Sequence, residues 1–282
     1  MTNSLLLMLP ITRTVPAFIV EGGRMRIALV AFLAAGIAGC ASSPSPQALA
    51  KAQGTFIADD TVLIPGRFVS GQQPDGNSVV LHARDGLIVF DTGRHAVHTQ
   101  RILDYAQESG QPIVAVVNSH WHLDHVSGNP RLRAAYPQLR VHASRAIEGA
   151  LTGFLADSRK QAQELIARSA IPEAQLADVR GDMATIEAGE KLLPDRAITE
   201  SGESVIGGRR LQFGLTRDAV TGGDVWVFDP RTRVLLAGDL ITLPVPLFET
   251  ACAPQWRAEL AALEKTDFVS LVPGHGAPLD RA

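Results

Sequence analysis

Four side chains of metal-ligating type fall within six consecutive positions of this chain. Residues 120–125 read His-Trp-His-Leu-Asp-His. His120 and His122 are two apart, so in an extended backbone their side chains point the same way. Asp124 and His125 follow in the next turn, where they can face a second metal ion. Imidazole nitrogen and carboxylate oxygen are ligands that Zn²⁺ accepts. The segment therefore predicts a metal site.

The motif directly follows a strand that is expected to be buried on both faces. Ile113–Val117 is a continuous apolar run, which is typical of such a strand. In open α/β sheets, sites form at the carboxyl ends of strands. The metal site is therefore expected at one end of a sheet.

The remaining pattern mixes strands and helices. The expected strands are Ser78–Leu81, Leu87–Phe90, Ile113–Val117, Arg209–Leu215, Asp224–Asp229, Val234–Ala237 and Phe268–Val272. The expected helices are one that ends near Glu108, a helix-rich stretch from Ser144 to about Ala184, and Trp256–Lys265. Strand-rich halves with interspersed helices predict an α+β sandwich with its helices outside.

Composition and charge exclude one class of partner. Aromatic residues make up 5% of the chain and the formal net charge is −3. A mildly acidic body with few aromatic residues neither neutralises phosphates nor stacks bases. No nucleic-acid partner is expected, and the expected substrate is a small molecule.

The N-terminal region has the pattern of an export signal. The apolar run 27–38 follows Arg26 and is shorter than the roughly 20 residues that a membrane-spanning helix needs. Residues 37–40 read Ile-Ala-Gly-Cys and resemble the bacterial lipobox, which implies cleavage before Cys40 and a lipid on its sulfur. A Ser/Pro tether follows. The alternative is a short buried helix that ends in a chance cysteine.

These features divide the chain into four parts. Residues 1–24 are expected to be an upstream extension, 25–39 a signal peptide, 40–54 the lipidated cysteine with its tether, and 55–282 the folded domain. The resemblance to lipoproteins implies an exported, periplasmic protein, lipid-anchored in a membrane through Cys40. Ala41 and Ser42 after the cysteine favour the outer membrane.

Four segments together resemble one protein family. Residues 120–125 match the His-x-His-x-Asp-His signature of the metallo-β-lactamase superfamily, and Asp91-Thr92-Gly93 resembles its early Asp-Thr-Gly. Residues 238–240 and 274–276, centred on Asp239 and His275, resemble its later ligand segments. The resemblance covers about residues 55–282 and implies the four-layer αβ/βα sandwich of that superfamily.

The resemblance also implies roles for single residues. His120 and His122 would bind a first metal ion, and Asp239 would bridge two ions. The ligands implied for the second ion are Asp124, His125 and His275. Asp124 would also be the catalytic proton acceptor. Asp91 would orient a ligand histidine, or would cap the next helix as a turn residue.

One position departs from the family pattern. Where members usually have a third histidine for the first ion, this chain has Val220, which cannot bind a metal. Asp218 is a candidate substitute. His95 and His98 could supply an extra ligand or a substrate contact, or could be histidines on a helix face. The site is therefore expected to hold one or two ions.

The remaining histidines and one cysteine have weaker indications. His82 and His142 are interpreted as structural. Cys252 could be a buried small apolar residue, a redox-sensitive or substrate-contacting thiol, or a metal ligand. The resemblance also implies a closing helix after His275, but only seven residues follow it, so this helix is expected to be absent or the chain to be truncated.

The ligand set and the resemblance predict a metal-dependent hydrolase. Zn²⁺ is favoured, although iron or manganese would also fit a mixed nitrogen and oxygen shell. A metal-bound hydroxide would attack an ester, thioester, lactone or related substrate. Asp239 resembles the bridging residue of the non-lactamase branches, so β-lactamase activity is not favoured. The alternative is a non-catalytic periplasmic metal-binding lipoprotein, which Val220 would support. A degenerate fold that serves protein contacts is the third alternative.

Overall fold

The computed structural model describes residues 54–69 and 71–281. Cys40 and the N-terminal parts predicted before residue 54 lie outside the described residues. Among the described helices, none is long and apolar enough to cross a membrane.

A seven-stranded sheet forms the first half of the domain. Its strands, in spatial order, are β1 (Thr55–Ala58), β2 (Thr61–Ile64), β3 (Ser78–Ala83), β4 (Gly86–Phe90), β5 (Ile113–Val117), β6 (Arg140–Ala143) and β7 (Arg196–Ala197). Strands β1 to β4 pair antiparallel. Strands β4 to β7 pair parallel, so their carboxyl ends lie at one edge.

A six-stranded sheet forms the second half. Its spatial order is β13-β12-β11-β10-β9-β8. The strands are β8 (Gly202–Ile206), β9 (Arg209–Thr216), β10 (Asp224–Asp229), β11 (Val234–Thr242), β12 (Ser270–His275) and β13 (Leu279–Asp280). Strands β11 and β12 are parallel, and they too end at a common edge.

Within residues 54–69 and 71–281, seven α-helices connect these strands. They are α1 (Ala96–Ser109), α2 (Leu123–Val126), α3 (Asn129–Ala135), α4 (Ala146–Thr152), α5 (Phe154–Ala167), α6 (Glu173–Glu187) and α7 (Ala253–Leu263). A 3₁₀ turn at Gly189–Leu192 follows α6.

Alternation along the strands explains why both sheets are covered on two faces. In β3, Val79 and Leu81 belong to the apolar cluster between the two sheets, whereas Val80 belongs to the cluster beneath α1 and α3. Side chains along a strand alternate between faces, so a run of apolar residues serves both clusters. On the second sheet, Trp226 and Leu235 pack with Trp256 of α7. The order is thus helix, sheet, sheet, helix, which confirms the predicted sandwich.

The expected strands are all present, and two of them, β11 and β12, continue at least three residues past their predicted ends. Strand β11 continues past Ala237 to Thr242 and includes Asp239. Its register is irregular around Gly238, which has a φ of 54°. Strand β12 runs to His275. Asp239 and His275 therefore lie within strands and not in the loops after them. The sequence did not predict this, because the irregular backbone of β11 interrupts the alternation of side chains.

Candidate metal centre

The candidate site lies where the carboxyl ends of β4, β5, β11 and β12 meet. Asp91 follows β4 and Ser119 follows β5, while Asp239 and His275 belong to β11 and β12. The two sheets are joined here by the Val225 amide, which donates to the Ser119 carbonyl at 2.6 Å. Residues far apart in sequence are therefore brought to one edge of the sandwich.

The local backbone of the motif separates apolar from ligating side chains. Trp121 joins an apolar cluster with Leu155 and Leu192. Because side chains alternate in extended backbone, His120 and His122 share the opposite face, and their ring centroids lie 4.4 Å apart. His122 is the last extended residue before α2.

The six predicted ligands form two buried groups of three. One ligand atom from each member of a group lies within 4.8 Å of the others. The first group is His120, His122 and Asp239, and the second is Asp124, His125 and His275. Every member is buried. The structure therefore brings all six side chains together.

Asp239 lies between the two groups. Its Oδ2 is 3.9 Å from His120 Nε2. Its Oδ1 is 3.2 Å from His125 Nε2 and 3.5 Å from His275 Nε2. One carboxylate oxygen thus faces each group, which is an arrangement suited to bridging two cations.

Three atoms at the centre are buried without a hydrogen-bond partner. They are His120 Nε2, His125 Nε2 and Asp239 Oδ1, of which the last two lie 3.2 Å apart without forming a hydrogen bond to each other. An unsatisfied buried polar atom costs about 1–3 kcal/mol, so three in one place require a compensating partner. A divalent cation bound by imidazole nitrogens and carboxylate oxygens satisfies all three. The donor set therefore fits a metal ion.

Asp91 supports two of the histidines from behind. Its Oδ2 is 2.9 Å from His125 Nδ1 and accepts the Ser119 hydroxyl at 2.7 Å. Its Oδ1 accepts the Ser119 amide at 2.7 Å. The Ser119 hydroxyl is in turn 2.9 Å from His120 Nδ1. Asp91 therefore contacts one ligand histidine directly and a second through Ser119, whose role the sequence did not indicate.

Charge within the site is unevenly distributed. Burial lowers the pKa of His125, but Asp239, Asp124 and Asp91 outweigh it and hold that pKa well above the usual value. Burial also raises the pKa of Asp124, yet His125 and its other cationic neighbours hold it well below its usual range. The pKa of His120 is well below its ordinary value because of burial first and of His125 second. The second group thus attracts protons in competition with cations.

Two supports were not predicted from the sequence. Asn77 donates from Nδ2 to the Pro273 and Gly276 carbonyls, each at 2.9 Å, which clamps the segment that carries His275. Arg94 Nη2 lies 3.8 Å from Asp124 Oδ1, and its Nη1 contacts Asp182 of α6 at 2.6 Å. The sequence did not indicate either residue, because Asn77 and Arg94 contact segments that lie far away along the chain.

The structure does not bring the candidate extra ligands to either group. Asp218 is exposed at a turn with a φ of 58°. His95 Nδ1 lies 2.9 Å from Asp75 Oδ2, and its Nε2 lies 3.4 Å from Asp178 Oδ1. Both nitrogens thus face carboxylates outside the two groups. These residues do not replace the missing ligand, and a substrate contact by His95 stays a prediction.

Val220 is buried in an apolar cluster rather than in the ligand set. It packs with Leu240 and Trp256 beneath α7. The loop that carries it is closed by Asp224, whose carboxylate accepts the Val220 amide at 2.9 Å. The first group therefore has two histidines and Asp239 as its members.

The other flagged residues have contacts outside the two groups. His82 Nε2 lies 2.7 Å from the Tyr105 hydroxyl, and His98 Nε2 lies 2.8 Å from the Ser78 hydroxyl. Cys252 is a free cysteine of intermediate exposure that precedes α7. It belongs to neither ligand group, and its role as a partly buried apolar residue or as a reactive thiol stays a prediction.

Curated relatives of this chain are hydrolases by name. A linear primary-alkylsulfatase from a Pseudomonas species is 24% identical over 218 residues, which cover 71% of this chain and 41% of the relative. A hydroxyacylglutathione hydrolase from Gloeobacter violaceus is 42% identical over 82 residues, covering 26% of this chain and 32% of the relative. The chain thus spans about two fifths of the length of the alkylsulfatase.

Solved structures show the same fold. A metallo-beta-lactamase from Pontibacter korlensis superposes with a TM-score of 0.58 at 19% identity, covering 80% of this chain and 92% of that one. The metallo-beta-lactamase IND-7 gives a TM-score of 0.56 at 18% identity, covering 79% of this chain and 89% of that one. The family model of the metallo-beta-lactamase superfamily matches residues 72–275. The chain belongs to the metallo-beta-lactamase superfamily.

Proposed function

We propose that this protein is a metal-dependent hydrolase that cleaves an ester-type bond in a small molecule. One observation carries the proposal. Three buried polar atoms, from His120, His125 and Asp239, converge without partners, and a cation would satisfy them all. The names of the curated relatives, an alkylsulfatase and hydroxyacylglutathione hydrolases, support hydrolysis.

The six buried residues would hold the metal. The first group would supply two imidazoles and one carboxylate oxygen, and the second would supply two imidazoles and a carboxylate. Zn²⁺ suits this mixture, and iron or manganese are accepted by similar sets. A bound divalent ion would supply Lewis acidity, which polarises the substrate and acidifies water.

Asp124 is the proposed proton acceptor. It is buried in the second group, and its pKa is well below the usual range: burial raises it, but His125, His275 and Arg94 outweigh that effect. Its Oδ2 lies 3.1 Å from His275 Nε2, and its Oδ1 faces Arg94 at 3.8 Å. The low pKa keeps Asp124 ionised, so its oxygens are available to accept a proton or to bind a cation.

The names of the relatives support a broad set of candidate substrates. The alkylsulfatase match extends over 71% of this chain, whereas the match to the hydroxyacylglutathione hydrolase from Gloeobacter violaceus covers 26%. Sulfate esters, carboxylic esters, thioesters and lactones are therefore the substrates to test, with alkyl sulfates first.

A panel of these substrates tests the proposal. The protein is stripped with a chelator, reloaded with Zn²⁺, Mn²⁺ or Fe²⁺, and assayed beside His120→Ala and His275→Ala. We expect turnover of at least one ester class that disappears on stripping and returns on reloading. The control His82→Ala, which removes a histidine outside both groups, should keep full turnover. Turnover that is indifferent to metal removal would refute the proposal.

A non-catalytic metal-binding protein is the second candidate, and Val220 favours it. With that residue buried in an apolar cluster, the first group has no third histidine. This candidate expects one tightly bound ion and no turnover of any ester class. Metal analysis on the same preparation as the substrate panel separates the two.

We also propose that the protein is exported and lipid-anchored at Cys40, as its sequence predicts. Support comes from the lipobox-like residues 37–40 and the Ser/Pro tether after them. Mass spectrometry of the mature protein tests this proposal. A chain that begins at Cys40 with an added lipid mass is expected, and an unmodified N-terminus at Met1 would contradict it.

A further inference from the structure

The two ring nitrogens of His122 have different surroundings. Its Nε2 lies 2.9 Å from the Thr250 hydroxyl oxygen, on a residue 128 positions later in the chain. The same hydroxyl donates to the Val220 carbonyl at 2.8 Å. Thr250 is therefore held between a histidine of the first group and the backbone of the residue at which the family pattern is broken.

The direction of these hydrogen bonds is determined by chemistry. A carbonyl oxygen can only accept, so two oxygens 2.8 Å apart need the Thr250 proton between them. A hydroxyl has a single proton. Thr250 must then accept from His122, and the proton it accepts belongs to Nε2. A histidine that binds a metal ion does so as a neutral ring, which has one N–H, and here that N–H is on Nε2.

A neutral imidazole with its proton on Nε2 has its free lone pair on Nδ1. We propose that Thr250 is a positioning residue that selects this tautomer of His122 and thereby makes Nδ1, not Nε2, the atom that His122 offers to a metal ion. This inference rests on the metal site proposed above.

The same argument applies to His120, but there the protonated ring nitrogen is Nδ1. The Ser119 hydroxyl donates to the Asp91 carboxylate at 2.7 Å, so it must accept from His120 Nδ1 at 2.9 Å. The unpartnered nitrogen of His120 is Nε2. Two hydroxyls, each with its proton engaged elsewhere, therefore assign opposite tautomers to the two histidines of the first group.

Thr250 is well placed to hold this role because its segment is tied to the loop of Val220. The Cys252 amide donates to the Ala219 carbonyl at 2.7 Å, and the Thr250 hydroxyl donates to the next carbonyl along the chain, that of Val220. The main chain at 219–220 thus positions a hydroxyl beside His122. The Val220 carbonyl thus acts on the first group indirectly, by holding the Thr250 hydroxyl beside His122, although the valine side chain cannot bind a metal ion.

Nitrogen NMR of ¹⁵N-histidine-labelled full-length protein tests the inference. The His122 resonances are assigned by their loss in His122→Gln. In metal-free protein we expect the protonated nitrogen to be Nε2, and on addition of Zn²⁺ we expect the Nδ1 resonance to shift. A metal-free tautomer protonated at Nδ1, or a Zn²⁺-induced shift at Nε2 alone, would overturn the proposal whether or not any variant folds.

Variants of the hydroxyl provide the second readout. Thr250→Val removes the acceptor while keeping the shape, and Thr250→Ser keeps the acceptor. Supporting partners of this kind are worth about 10–100-fold in metal affinity. We expect a loss of this order for the first group in Thr250→Val, together with a mixed His122 tautomer, and recovery of both in Thr250→Ser. The control Thr242→Val removes a hydroxyl that donates to the Asp239 carbonyl and should leave the tautomer unchanged.

The outcomes separate this inference from the metal proposal. A Zn²⁺-induced shift at His125 Nε2 reports binding at the second group, independently of Thr250. If that shift occurs while Thr250→Val retains the wild-type tautomer and affinity, the positioning role is wrong and the metal proposal stands. If Zn²⁺ shifts no histidine, the metal proposal fails.

Discussion

Replacing Asp91 with asparagine should weaken metal binding without disturbing the backbone. Asp91 is fully buried and has a φ of 57°, a left-handed conformation that asparagine tolerates as well as aspartate. The carboxylate accepts three hydrogen bonds, from the Ser119 amide, the Ser119 hydroxyl and His125 Nδ1. Asparagine keeps the shape but can accept at only one of its two terminal atoms.

The consequence is a change in the proton position on His125. If the asparagine oxygen accepts the Ser119 amide, its NH₂ group faces His125 Nδ1 and donates to it. In the neutral ring that would bind a metal ion, the proton then moves to Nε2, the atom that faces Asp239 Oδ1 at 3.2 Å. The lone pair that would bind the metal is lost. If the amide is turned the other way, its NH₂ group opposes the Ser119 N–H, which leaves that donor unsatisfied.

The expected cost is a 10–100-fold loss of metal affinity, the usual effect of removing an orienting carboxylate. This corresponds to about 1.4 to 2.8 kcal/mol. Competition between protein and a chelating dye for Zn²⁺ measures it. Asp229→Asn is the matched control, because Asp229 is also buried and hydrogen-bonded, to Arg209 and Thr232, but lies outside both groups. Wild-type affinity in Asp91→Asn would refute the reasoning.

Three further results are expected. Burial lowers the pKa of His125 but neighbouring carboxylates raise it well above its usual value, so metal binding should release protons and weaken as pH falls. Calorimetry in buffers of different ionisation enthalpy measures the number of protons released. A release of zero protons would contradict this prediction. Burial lowers the pKa of His98 and His142 from 6.5 to about 4, so between these pH values the unfolded chain binds protons at these two residues that the folded chain does not. The free energy of unfolding should therefore fall as pH drops from 6.5 to 4. Denaturant unfolding at several pH values measures this, and the fall should be less steep in His98→Gln. In Gly274→Ala, a Cβ would lie 1.9 Å from Asp239 Oδ1, so Zn²⁺ affinity should drop at least tenfold in the dye competition, and unchanged affinity would contradict the close approach.

The six side chains that converge could be picked out from the sequence because they are local or lie in segments that resemble known ones. Four of the six lie within residues 120–125, and Asp239 and His275 lie in short segments that resemble the family's. The residues that support them were not predictable in this way. Thr250 contacts His122 across 128 positions, and such a contact leaves no spacing pattern in one sequence.

The same distinction applies to the fold. Long buried strands such as β5 were predicted from their apolar runs. Strand β8 was missed because four of its five residues are exposed and it is held by pairing with β9. The short strands β6 and β7 were also missed. They are held by parallel pairing, β6 with β5 and β7 with β6, and segments of four and two residues do not reveal a partner strand that is distant in sequence.

The central claim is that two neighbouring groups of buried ligands hold metal ions on either side of Asp239. Anomalous diffraction from crystals of the Zn²⁺-loaded protein, recorded at the zinc edge, tests it most directly. We expect one anomalous peak beside His120, His122 and Asp239, and a second beside Asp124, His125 and His275. Zinc bound elsewhere, with no peak at either group, would contradict it.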